Sequence, residues 1–129
     1  MDTPFHPLNW HAGWLLILAS FVTGAAIGLF FHRDDCLGGY ASFERRLLRL
    51  GHVALAALGM INILFSLSPW PAAGAWTSGA ASVCFVAGAV AMPAVCFLTA
   101  WRRPLRHLFA IPVSALTLAA LFTYLGGLS

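Results

Sequence analysis

Two histidines stand in nearly the same surroundings. His52 closely follows the run Arg45-Arg46-Leu47-Leu48-Arg49, and His107 directly follows Arg102-Arg103-Pro104-Leu105-Arg106. Each imidazole therefore sits where an arginine-rich segment turns apolar. Imidazole is an axial ligand of haem iron, and a guanidinium beside it matches a haem propionate lying at a membrane edge. His52 and His107 are candidate ligands of a b-type haem, with Arg49, Arg103 and Arg106 as candidate propionate partners. A second combination is a metal site from His52, His107 and Cys96, with Met92 nearby, since imidazole with soft sulfur suits copper or zinc. Either chemistry requires these side chains to lie at one depth, and depth is set by the spans that carry them.

The chain has 129 residues, of which 60% are hydrophobic and only 9% charged. That is too little polar surface for a water-soluble domain of this size. Four stretches, Trp10 to Phe31, Leu50 to Leu67, Gly79 to Ala100 and His107 to Leu125, are long enough to cross a hydrocarbon core of about 30 Å. The expected fold is an all-α integral membrane protein, one four-helix transmembrane domain in an up-down bundle made of two tandem helical hairpins. The first stretch opens with Met-Asp instead of a basic segment and reads as a permanent span, not a secretory signal.

All seven basic side chains are arginines. Arg33, Arg45, Arg46 and Arg49 fall between spans one and two, and Arg102, Arg103 and Arg106 between spans three and four. The positive-inside rule puts both segments in the cytoplasm and both termini outside. The lysine-free composition, rich in Ala, Gly, Leu and Arg, points to a bacterial inner membrane. A net charge of +3 is then asymmetry across a bilayer, with anionic lipid headgroups as partners and no surface for nucleic acid. Trp10, Trp14, Trp70 and Trp76 suit the opposite, outer interface. Cys36, Cys84 and Cys96 have no CxxC spacing and imply no disulfide framework.

Local signals sharpen the boundaries. Gly38-Gly39 breaks the first arginine-bearing loop, Ser42 is a suitable N-cap with Glu44 in the first turn, and residues 43 to 50 read as a helical lead-in. Pro104 suits the first turn of the last helix, and Pro93 should kink span three.

Small and polar residues mark the faces that meet other helices in lipid. On that basis the packing residues are Gly24 and Gly28 in span one, Gly59 and Asn62 in span two, Gly88 in span three, and Ser114 and Thr117 in span four. His52 shares a polar stripe with Asn62, and His107 shares one with Ala110, Ser114, Thr117 and Tyr124. If the helices follow one another around the bundle, spans two and four face each other and the histidines meet near the cytoplasmic surface. Paired histidines on neighbouring spans resemble, in that general sense, the layout of membrane b-type cytochromes.

There is no paired carboxylate, no nucleophile with a base at a readable spacing and no glycine-rich phosphate loop, so the sequence shows no enzyme. Asn62 is the one notable polar side chain at mid-membrane, and no span carries an Asp, Glu, Lys or Arg that would relay protons or bind ions. The leading expectation is an accessory or scaffolding subunit of a larger membrane complex, with other subunits or copies of itself as partners. The histidine pair suggests a respiratory or electron-transfer host. The alternatives are a haem-bearing electron carrier with bis-histidine ligation and an oligomeric channel.

Overall fold

The computed structural model describes residues 6–69 and 75–127. Trp70, expected at the outer interface, lies outside the described residues. The chain is all-helical: α1 is Pro7–Phe30, α2 is Phe43–Leu67, α3 is Ala75–Trp101 and α4 is Ala110–Gly126, with 3-10 turns at Cys36–Gly38 and Arg103–Phe109. All four helical segments are long and apolar enough to cross a membrane. The expected lead-in is continuous with α2, where the Ser42 side chain accepts the Arg45 N–H at 3.2 Å and Glu44 sits in the first turn. α3 runs unbroken through Pro93.

The last span begins differently from expectation. Residues 103–109 form 3-10 turns, and the α-helix starts only at Ala110. Two prolines account for this. Pro104 opens the segment, while Pro112 has no N–H to return to the carbonyl four residues earlier, so regular α pairing builds up only beyond it.

Neighbouring helices run antiparallel and approach through residues without bulk. Gly13 of α1 and Gly59 of α2 meet backbone to backbone: a Cβ on Gly59 would lie 2.9 Å from the Gly13 carbonyl oxygen. A Cβ on Gly51 would lie 2.5 Å from the Phe97 ring, and one on Gly88 2.5 Å from Leu116, so α3 is seated on α2 and α4 on α3 in the same way. Leu16, Leu55 and Ala89 form a buried cluster shared by α1, α2 and α3. Phe65 and Ala81 form a second cluster at the other end, with Phe85 and Phe122 packed against it.

The arrangement is a three-helix core with a fourth helix laid on its side. α1 and α3 both pack on α2 and touch each other, whereas α4 packs along α3 and has at most slight contact with α1 and α2. Spans two and four therefore do not face each other across a core. The face of α4 that meets α3 carries Pro112, Ala119 and Gly126, all buried. His107, Ala110, Ser114, Thr117 and Tyr124, expected to look inward, are exposed.

Candidate functional site

The structure does not bring the two histidines together. His52 is half-buried between α2 and α1, with Nδ1 3.2 Å from the Thr23 hydroxyl. Its ring rests on Gly24, where a Cβ would come within 2.9 Å of Cε1. Gly24 thus leaves room for the His52 ring. His107 is exposed on the 3-10 segment ahead of α4. Cys96 is fully buried in α3. Among the described residues no group of three or more His, Cys, Asp or Glu side chains is placed to hold a metal ion.

The remaining packing candidates divide. Gly59 and Gly88 lie at close helix contacts. Gly28 is exposed, and a Cβ there would meet nothing within 4 Å. Ser114 and Thr117 are exposed and donate to carbonyls of their own helix, Ile111 at 2.9 Å and Val113 at 2.8 Å. A hydroxyl satisfied in this way needs no neighbouring helix.

Asn62 belongs to a polar cluster larger than the sequence indicated. Asn9 Nδ2 donates to Asn62 Oδ1 at 2.8 Å and to the Ser82 carbonyl at 3.3 Å, and the Ser82 hydroxyl donates to Asn9 Oδ1. Asn62 Nδ2 donates to the Leu58 carbonyl at 2.9 Å. Asn9 and Asn62 are fully buried, and the cluster joins α1, α2 and α3. One turn further out, His6 Nε2 lies 2.7 Å from the Ser78 hydroxyl and its ring centroid 5.0 Å from that of Phe65. Partial burial holds the His6 imidazole below its ordinary pKa. Asn9 and His6 stand close to the N-terminus, where a polar residue reads as an interfacial anchor; their signal was a position facing Asn62 once α1 and α2 are paired antiparallel.

At the opposite end the two arginine-bearing segments meet. Arg103 makes an ion pair with Glu44 at 2.8 Å, so the first turn of α2 and the segment after α3 share one end of the bundle. Arg45 is only 2% exposed. Its Nε donates to the Cys36 carbonyl at 2.7 Å, and its terminal nitrogens donate to the carbonyls of Phe31 and Arg33. These oxygens lie at and just beyond the C-terminus of α1, where the helix dipole stabilises a cation. Arg49 reaches the Tyr40 carbonyl, and its guanidinium carbon lies 4.4 Å from the Tyr40 ring centroid. Arg45 and Arg49 thereby fasten residues 31–40 over the end of the bundle.

This fastened segment roofs an apolar hollow of about 410 Å³. Ala26, Ile27 and Phe30 of α1 form one wall, Leu48 and Phe97 the other, and Cys36 and Leu37 the cover. Leu37 is held in the left-handed region at φ 51°, with Gly38 and Gly39 following at φ 80° and 90°. That conformation is costly for a branched side chain. Thr23 also borders the hollow, but its hydroxyl lies against the Ala19 and Ser20 carbonyls and His52. Leu37, Leu48 and Phe97 also line a second hollow containing Glu44 and Trp101, and Trp101 lines a third with Arg102 and Leu105.

The fold and these contacts define a compact multi-pass helical protein of the membrane class. No family model, no curated protein and no solved structure matches the chain.

Proposed function

We propose that the chain is a small accessory or scaffolding subunit that docks to larger subunits inside a plasma membrane, with its arginine-bearing end in the cytoplasm. The observation carrying this reading is the asymmetry of α4. One side of that helix is seated on α3, while the other presents Ala110, Ser114, Thr117 and Tyr124 outward. Helices associate in lipid where small and hydroxyl-bearing residues allow close approach, and that face has both. The polar cluster of Asn9, Asn62 and Ser82 meanwhile makes the other three helices a fixed platform behind it.

The histidine pair that suggested an electron-transfer host is not assembled within the chain, so the proposal names the docking role without that host. It is tested by placing a photo-crosslinking residue at Ser114 and, as a control, at Leu64, which is exposed on α2. Crosslinks from Ser114 to a subunit that co-purifies in constant ratio, with none from Leu64, support it. A lone chain crosslinked only to lipid at both positions overturns it. A Soret band that shifts on reduction and disappears in both His52→Ala and His107→Ala would replace it with an electron carrier. Ion flux in liposomes containing this chain alone would replace it with a channel.

A further inference from the structure

We infer that the roofed hollow and the two hollows adjoining it through shared lining residues bind one anionic phospholipid, with an acyl chain under Leu37 and the headgroup at Arg102. The inference requires a membrane-embedded bundle but not the scaffolding role. Three observations converge on it. The first is shape. The roofed hollow has a volume of about 410 Å³, within the range of small-ligand sites. Its walls are almost wholly hydrocarbon and aromatic, which suits a tail and offers no anchor to a polar solute.

The second is continuity. Leu37, Leu48 and Phe97 border both the roofed hollow and the one beside Glu44, and Trp101 borders both that hollow and the one at Arg102. An amphiphile laid along these hollows has its tail at the Leu37 end and its polar group at the arginine end. Phe97 forms the shared wall because Gly51 leaves room for its ring against α2.

The third is charge. Seven arginines at this end of the bundle are accompanied by three carboxylates, Asp34, Asp35 and Glu44. Arg45 and Arg49 are engaged by backbone carbonyls, Arg33 by Asp35 and Arg103 by Glu44. Arg102 is exposed, borders the last hollow and has a guanidinium left for a phosphate. The left-handed Leu37 fits the same account, since strained backbone is retained where surrounding structure holds a side chain over a ligand.

The test uses the full chain in mild detergent, with phosphatidylglycerol or phosphatidylcholine added at equal concentration. Native mass spectrometry should show one phosphatidylglycerol retained per chain, favoured over phosphatidylcholine roughly fivefold. Ala26→Trp, which fills the hollow from an exposed position, should abolish retention, and Arg102→Gln should remove the preference. Equal retention of the two lipids by the unaltered chain overturns the proposal, as does undiminished retention in Ala26→Trp. A two-chain species lost in Ala26→Trp shows that a second copy occupies the groove, and overturns it too. Cys36, in the cover, gives a second readout on unaltered protein. Maleimide labelling at Cys36, located by peptide mapping, should slow at least about fivefold with phosphatidylglycerol and not with phosphatidylcholine. An unchanged rate overturns the proposal whatever happens to the variants.

Discussion

Asn9 donates a hydrogen bond to Asn62 across 2.8 Å, between two fully buried amides on different helices. Asn9 also accepts from Ser82, so one amide ties α1 to both α2 and α3. In an apolar medium an unpaired amide has no water to turn to, although an unfolded chain in the membrane finds substitutes. Asn9→Ala should therefore destabilise the bundle by about 1–2 kcal/mol, and the Asn9→Ala/Asn62→Ala cycle should give coupling of about 0.5–1.5 kcal/mol. Reversible unfolding in mixed micelles measures both. Additive single effects would mean that the cluster fills space without fixing the arrangement.

Arg45 invites a sharper prediction, because its three acceptors are all backbone carbonyls of residues 31–36. Lysine keeps the charge but has no planar fork with which to reach three oxygens. Arg45→Lys should lower stability by about 1.5–3 kcal/mol, the scale of one lost hydrogen bond to a charged group. It should also release residues 34–40, seen as faster amide exchange there, while the exchange of α3 stays unchanged. Arg46→Lys, at an exposed position one residue on, should do neither.

The contrast between Arg45 and Arg46 shows how far the sequence was legible. Charge asymmetry and apolar length identified four helices and gathered the arginines at one end, because those depend on bulk solvation. Which arginine turns inward depends on where the α1 carbonyls end, and nothing local records that. The stripe of Ser114 and Thr117 misled for a related reason. A hydroxyl in a helix can bond the carbonyl three or four residues back, so its polarity does not demand a partner. The informative signal in α4 was smallness at a seven-residue interval, Pro112, Ala119 and Gly126, which is the face laid on α3. The neighbour of His52 is Thr23 on α1 and not His107.

Glycines separate packing from mere composition. A methyl group on Gly51 would collide with the Phe97 ring, whereas one on Gly28 would meet nothing. Gly51→Ala should destabilise by about 1–3 kcal/mol through overpacking. Gly28→Ala should stay within about 1 kcal/mol of the unaltered chain or gain slightly, since alanine is the better helix former. Thermal unfolding in detergent distinguishes them. Equal costs at the two positions would contradict the close contact between Gly51 and Phe97.

The His6 imidazole sets a pH dependence whose direction follows from its surroundings. The Phe65 ring and the Ser78 hydroxyl lie against it, neither of them charged, and partial burial disfavours its protonated form. An unfolded chain takes up that proton near the ordinary value of 6.5, the folded chain only at lower pH. Between those two values the unfolded state holds more protons, so stability falls as pH falls. The contribution is complete above 6.5 and the loss levels off below the folded value. His6→Gln retains a group able to bond Ser78 but cannot titrate, and its unfolding midpoint should vary less between about pH 7 and pH 5 than that of the unaltered chain. If His6→Gln preserves the full slope, the acid sensitivity belongs to another group, and the contact between the start of α1 and Ser78 is not its origin.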